Sequence, residues 1–444
     1  MAKECKIIIV GGGIAGLCLA LTLERIKVDY ILLEAYPEIV AEVGAGIALH
    51  PNGLRILDQL GCYEDIISHV KRPVESIDVR NSRGESLAST TGWGKRLTER
   101  YGYPLIWIDR TALLRILYGH ILDKSKLLTS KRVETVRQTG AAVQAITTDG
   151  SIHEGDILVG ADGVHSRVRQ EMLRESQNEE YADKISATFG CIFGVSSVIP
   201  GVSEACADRV LNKGFCYVIG SGPDDRVYWF LIKRLDRTLY GEEVSQFSTE
   251  EMEKILYEHR DDAIMPGVRL ADLCRHQRNA VFTPMPEAVC SKWYSERVIV
   301  IGDSVHKMSS INAQGGNQAI ESAAAFANAL DSMLKENTPL TATEIQTVFS
   351  NVQETRFPRV KPMMELSHQR QHMDTLATPE LEDIMLNKVP KSMLKMMLER
   401  WDEAFGPAVS LQMLPLPHRP KILPFHDERE RHQFNIDGQG NRHI

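Results

Sequence analysis

The run Lys6 to Val10 (KIIIV), whose last four residues are apolar and β-branched, leads directly into three glycines, Gly11, Gly12 and Gly13. A buried parallel strand that enters a tight turn has this composition. A helix is expected to follow: from Ile14 to Arg25, Leu17, Ala20 and Leu21 share one face, and Gly16 lets the helix press against the sheet. A second strand, VDYILLE, ends in Glu34.

The order strand, Gly11-x-Gly13-x-x-Gly16, helix, strand and terminal acid is the dinucleotide-binding fingerprint, and each part has a mechanical reason. Gly11 permits the sharp turn. Gly13 lets a pyrophosphate approach the backbone, where helix N–H groups and the positive dipole end receive its charge. Glu34 is placed to accept hydrogen bonds from two ribose hydroxyls. The bland alternative is a glycine-rich α/β turn without a ligand.

At 444 residues the chain is too long for one small core, so two or more folding units are expected, some of them discontinuous. The formal net charge of -8, without a basic block, excludes a nucleic-acid binder. Eight cysteines without a C-x-x-C pair or metal-ligand spacing read as reduced, packed thiols in a cytoplasmic setting, and no metal is expected. No signal peptide and no transmembrane run is visible, because charge interrupts the apolar stretches before the roughly 18 residues a span needs. Neither a repeat nor a low-complexity tract occurs.

Beyond Glu34, the stretch Val43 to Gly61 (VGAGIALHPNGLRILDQLG) has small residues at Gly44, Ala45 and Gly46, a short strand, a turn at Pro51-Asn52-Gly53 and a helix. Those glycines fit either close approach to a flat ligand or an ordinary turn; His50 reads as a strand-end polar residue. In residues 74 to 108, VESIDVR and YPLIWI alternate polar and apolar positions as antiparallel strands of one layer. A helix opens at Asp109-Arg110, where the dipole does not favour a cation, so Arg110 faces either an external anion or polar ring, or Asp109. Two further strand-to-helix crossovers follow, Asp156 to Arg169 (DILVGADGVHSRVR) and Arg297 to Leu330, whose strand ends in Asp303 before an alanine-rich helix.

Together these three stretches resemble the fingerprints of the single-component, para-hydroxybenzoate hydroxylase-like flavin monooxygenases. HPNGLRILDQLG, IGDSVHKM and LPLPHRPKILPF bring the chain nearest to the fungal FAD-dependent epoxidases and hydroxylases of meroterpenoid, indole-diterpene and prenylated-alkaloid pathways. The resemblance covers most of the chain. It implies an α/β fold with a discontinuous Rossmann-like FAD-binding domain of the glutathione-reductase type, a mixed β-sheet substrate domain and C-terminal helices. The expected division is 1–73, 109–175 and 285–340 for FAD binding, 74–108 and 176–284 for the substrate sheet, and 341–444 for a helical C-terminal region. Carried over by residue, it assigns the pyrophosphate to Gly11, Gly13 and Gly16 and the adenosine ribose to Glu34. The flavin would meet Ala45, Gly46, Arg110, Gly315 and Gly316, the ribityl chain Asp303, and both FAD and NADPH or NADH the motif at Asp162. No second G-x-G-x-x-G exists, as suits a family without a separate nicotinamide domain.

Two departures bear on chemistry. Where relatives read P-x-x-G-Q-G-x-N, this chain has Ser310 to Asn317 with Ser310 and Ala313 at the proline and first glycine, in the loop that shapes the oxygen pocket. In TFGCIFGVS, Phe193 and Gly194 stand where phenol hydroxylases often carry an arginine, which points to an uncharged, apolar substrate. The expected activity is FAD-dependent epoxidation or hydroxylation of a prenylated, terpenoid or indole substrate, with NADPH or NADH and O2. The alternative is a non-oxidative FAD-containing isomerase or cyclase, for which Tyr217 and His306 are the available acid-base groups. For Tyr217 the competing role is packing at a sheet edge, and for His306 bracing its loop. A halogenase lacks its W-x-W-x-I-P signature here. Leu394, Met397, Leu398 and Trp401 form one stripe of the last helix, expected to be core or a docking surface, with peripheral membrane contact as the other reading. Relatives often continue into a hydrophobic segment; the polar tail NIDGQGNRHI suggests a naturally soluble or a trimmed chain.

Overall fold

The structure, a computed structural model, describes residues 5–40, 46–70, 72–175, 185–335 and 341–429. At its centre the strand Lys6–Val10 pairs in parallel with Asp29–Leu33 on one side and Ile157–Gly160 on the other. The strand Val298–Val300 extends the ladder, again in parallel, and two short edge strands complete six. Parallel pairing puts the carboxyl ends of these four strands on one edge of the sheet, so three crossovers more than 100 residues apart open side by side. Their backbones interlock there: Gly11 N donates to Leu33 O, Ala161 N to Val10 O and Ile301 N to Gly160 O, each at 2.8 Å.

A second layer is a seven-stranded mixed sheet drawn from Ser76–Arg80, Ser86–Thr91 and the five strands between Ser186 and Pro284. Strand alternation gives it two cores. Cys216, Val218 and Phe230 face the dinucleotide layer, while Tyr217, Ile219 and Trp229 pack on the far side with Leu270 and Leu273. The YPLIWI segment does not join this sheet, contrary to the expected single layer: Ile106–Asp109 pairs instead with Gly46–Leu49. The helix Trp93–Tyr101 intervenes, bounded by Gly92 and Gly102 in the left-handed conformation at φ 75° and 81°, and buries Trp93 completely.

Long helices close the molecule. Gly315–Lys335 packs on Ile14–Arg25, and Ala342–Asp374 runs across it, started by a reciprocal Thr341–Glu344 cap. A π-turn at Ile384–Lys388 leads to the last helix, Val389–Phe405, tied to the Trp93–Tyr101 helix where Arg100 Nε donates to Asp402 Oδ1 at 3.0 Å. The LPLPHRPKILPF segment straps the same Trp93–Tyr101 helix, with Ile422 N donating to Glu99 O at 2.8 Å, and Arg419 bonds both oxygens of Asp58, at 2.8 and 3.1 Å. Among the described residues no helix is long and apolar enough to cross a membrane.

One buried carboxylate joins these helices. Glu321 receives Arg356 at 2.6 Å, Arg359 at 2.5 Å and Asn52 at 2.7 Å, and Arg359 also donates to Ala404 O. Burial opposes ionisation of Glu321, but the charges of Arg359 and Arg356 outweigh it and lower its pKa to about 2. The ionised group therefore contributes stability that is complete above its ordinary value of 4.5 and is lost as pH falls through about 2. Glu321→Gln should cost about 3 kcal/mol at neutral pH by leaving Arg356 buried and underpaired. Denaturant unfolding at several pH values checks this: between pH 4.5 and 2 the wild type should lose more stability than the variant.

Candidate functional site

A cavity of about 1110 Å³ runs from the carboxyl edge of the parallel sheet to the inner face of the seven-stranded sheet. At the first end lie the three crossovers. Gly11 has φ 106°, and a Cβ there would strike the Ala161 carbonyl of the neighbouring crossover. Gly16 abuts the carbonyl of Gly11 equally closely. Gly13 is different: nothing lies within 4 Å of a Cβ built on it, and it faces the cavity. The first two glycines are needed for backbone contact, the third for open space.

Glu34 lies across this space. Its Oε2 accepts from Gly12 N at 2.7 Å and its Oε1 from Tyr36 N at 2.9 Å, which fixes the carboxylate at the rim. Arg110 also lines the cavity and makes no hydrogen bond or ion pair with a described residue, although the charges of Asp303 and Glu34 reach it. Asp303 is held 2.5 Å from Lys307 Nζ. Burial would raise its pKa, but Lys307, with help from Arg110, holds the carboxyl below the usual range. Asp162 is committed differently: its Oδ1 accepts from Ser166 Oγ at 2.6 Å and Ser304 Oγ at 3.2 Å, and its Oδ2 from Val168 N at 3.0 Å. Its carboxylate thus caps the Arg167–Glu175 helix and clamps two crossovers, so what it offers a ligand is backbone.

Gly46 meets the Tyr228 ring, Gly316 would place a Cβ 2.6 Å from Ile47 Cδ1, and Gly315 begins the third crossover helix beside Asp303. All three line the cavity; Ala45 lies outside the described residues. The loop Ser310–Gln314 keeps a left-handed residue, but it is Ala313, at φ 52°. Asn317 supports that turn by donating to Ala313 O at 2.8 Å and Ala48 O at 3.1 Å while accepting from His50 N at 3.0 Å. His50 faces the cavity, and burial lowers its pKa to about 4, so the ring is neutral at pH 7.

The second end is a chamber. Trp107 stacks on Phe230 at 5.7 Å, and Phe193 meets Phe230 edge-on at 5.4 Å. The last helix supplies the opposite wall with Met393, Met396, Met397 and Trp401. This corrects the expected stripe: Met397 and Trp401 face the cavity, whereas Leu394 and Leu398 border a separate groove beside Ala88 to Thr90. The residues missed were readable as the spacing 393, 396, 397, 400, 401, a better helical face than the one chosen. Neither is the chamber wholly apolar, because Arg209, Arg370 and Arg400 also line it.

The two candidate acid-base groups are elsewhere. Tyr217 points to the far side of its sheet, where its hydroxyl donates to Asp262 at 2.7 Å, because odd positions of that strand face away from the cavity. His306 is fully buried against Ser322, 2.7 Å from its hydroxyl, with its pKa lowered to about 3 by burial and Arg356. Neither lines the cavity. The isomerase or cyclase reading loses its acid-base groups with them. Among the described residues there is no cluster of His, Cys, Asp or Glu able to hold a metal.

Residues 4–343 match the family described as FAD binding domain. FAD-dependent monooxygenase ptmM of Penicillium ochrochloron is 35% identical over 81% of this chain and 87% of its own length. FAD-dependent monooxygenase anuJ of Penicillium roqueforti is 34% identical over 96% of this chain, which spans 55% of that protein. Among solved structures, Klebsiella pneumoniae HpxO complexed with FAD and uric acid superposes with a TM-score of 0.75 at 19% identity, covering 91% of this chain and 97% of its own. CtdE in complex with FAD and its substrate gives 0.69 at 19% identity, over 84% of this chain and 90% of its own.

Two glycine substitutions should separate structure from binding. Gly11→Ala should destabilise the apoprotein by about 3 kcal/mol, through strain at positive φ and a backbone clash. Gly13→Val should leave apoprotein melting within about 2 °C of wild type yet weaken FAD binding at least about tenfold, because its side chain enters open ligand space. Thermal melts and FAD titration read the pair. Ala313→Gly should raise stability by about 1 kcal/mol, by removing the cost of a left-handed alanine.

Proposed function

Since the chain belongs to the FAD-dependent monooxygenases that carry this FAD binding domain, we propose that it inserts one oxygen atom of O2 into a largely apolar substrate of fungal secondary metabolism. One observation carries the reading: a single cavity joins the glycine cradle to a chamber lined by aromatic and methionine side chains. In this reading Gly11, Gly13 and Gly16 seat the FAD pyrophosphate, with Gly13 contributing the room. Glu34 takes the ribose, Asp303 the ribityl chain, and Arg110, Gly46, Gly315 and Gly316 flank the ring. Arg110, without a hydrogen bond or ion pair to any described residue, and the open face at Gly13 fit that occupant. FAD, reduced by NADPH or NADH, supplies the electron transfer and oxygen activation that no side chain can provide.

The chain's own part is positioning and exclusion. Trp107, Phe193 and Phe230 form a flat wall against which an alkene or indole stacks, and Met393, Met396 and Met397 adapt to an irregular hydrocarbon. The last helix covers that wall, which would limit the water that reaches the reacting centre. Neutral His50 beside Ala313 and Asn317 adds a polar but uncharged edge to the loop that faces the ring. An electron-rich double bond needs no base in such a chamber, so epoxidation is the preferred outcome and arene or indole hydroxylation the neighbouring one. The protein works in the cytoplasm.

Incubating the FAD-loaded protein with NADPH, ¹⁸O₂ and prenylated aromatic or indole substrates tests this. A product heavier by one labelled oxygen is expected, and product formed equally well without O2 and nicotinamide would overturn it. Tyr217→Phe should leave turnover within about threefold of wild type, while costing about 1 kcal/mol of stability for the lost hydrogen bond to Asp262.

A further inference from the structure

Three guanidinium groups meet at the chamber end, each from a different element. Arg209 stands on the strand Ala207–Leu211, Arg370 near the end of the long helix Ala342–Asp374, and Arg400 on the last helix. They share one carboxylate. Arg209 Nη1 donates to Asp374 Oδ2 at 2.6 Å, and Arg370 Nε lies 2.6 Å from Asp374 Oδ1, with Asp374 fully buried. Arg209 spends a second nitrogen on Ile311 O, at 3.0 Å. Arg400 makes no hydrogen bond or ion pair with a described residue, and it lies close enough to Arg370 and Asp374 to feel both charges.

The balance is three cations against one anion, beside a hydrophobic wall. Arg400 is itself exposed at the mouth of the chamber, and Glu403, the other carboxylate whose charge reaches it, is exposed as well and does not line the cavity. The cavity's own carboxylates, Glu34, Glu38, Asp162 and Asp303, belong to the dinucleotide end. Gathering like charges at the edge of an apolar chamber costs free energy unless something neutralises them. Arginine forks are also suited to two-oxygen anions.

We propose that Arg209, Arg370 and Arg400 receive an anionic oxygen group, a carboxylate, phenolate or enolate, at one end of an otherwise apolar substrate. Asp374 is the positioning residue, hydrogen-bonded to Arg209 and ion-paired with Arg370, and it leaves Arg400 to close on the ligand. The substrate is then an amphiphile, its acidic head at the arginines and its hydrocarbon along Met393, Met397 and Trp107. The Arg209 bond to Ile311 O links the receptor to the loop carrying Ala313, so head-group binding and loop position are mechanically joined. This assignment rests on the reading of the chamber as the substrate site, and it supplies charge that the Ser186–Ser196 strand lacks.

The test compares two probes with the same triene tail, farnesoate and methyl farnesoate, at pH 8, binding to the FAD-loaded protein. Quenching of tryptophan fluorescence reports both, since Trp107 and Trp401 line the chamber. Wild type should favour the acid over the ester by about tenfold, the value of a charge-assisted hydrogen bond. Arg400→Gln should reduce that preference to about twofold or less while the ester's affinity changes less than about threefold and FAD content is unchanged. Arg400→Lys should restore part of it. Equal binding of acid and ester by wild type, failure of farnesoate to bind, or an undiminished preference in both Arg400→Gln and Arg370→Gln would overturn the assignment. Because neither probe need be oxidised, a failure of the monooxygenase reading shows instead as absent labelled product with the binding preference intact.

Discussion

The contact between Gly11 and the carbonyl of Ala161 decides how the rest can be arranged. Two parallel strands leave the sheet at the same height, and their first residues past the ladder occupy one another's side-chain space. Only a glycine at positive φ lets both crossovers turn there. Once they do, the third follows, because Ile301 N is bonded to Gly160 O and the strand before it has no other register. An edge built this way collects N–H groups, glycines and the carboxylates of Glu34 and Asp303 in one place, with Arg110 as their counter-charge.

What could be read from the chain was whatever is encoded by neighbours in sequence. The glycine spacing, the apolar strand before it and the acid after it specify a local unit, and the three crossovers repeat that logic. Parity was the first thing lost. Whether Tyr217 or Val218 faces the flavin edge depends on which side of the seven-stranded sheet meets the dinucleotide layer, and nothing within GFCYVIGSG carries that information. Pairing partners were the second: the YPLIWI segment alternates like a member of the larger sheet, yet its ladder is with Gly46–Leu49, because Trp93–Tyr101 fills the space between. The arginine receptor was the third. Its members lie at 209, 370 and 400, on three elements whose meeting is a tertiary fact, and each alone reads as a surface cation.

Asp162 is committed to the fold by its own hydrogen bonds. Its oxygens are consumed by Ser166, Ser304 and Val168, so substitution there would unlatch two crossovers before it affected any occupant. Glu321 plays the corresponding part for the helices: it draws the third crossover helix, the long helix and, through Asn52, the helix Pro51–Gln59 onto one point, and through Arg359 it reaches Ala404 in the chamber wall. The two ends of the cavity are therefore braced by separate carboxylates.

The last helix, Val389–Phe405, contributes an entire side of the chamber from beyond residue 343, where the family domain ends. The chamber is consequently shared between the family domain, which gives Trp107, Phe193 and Phe230, and a stretch of polypeptide outside it. Substitutions along these 17 residues reshape one side of the chamber and leave the three crossovers as they are.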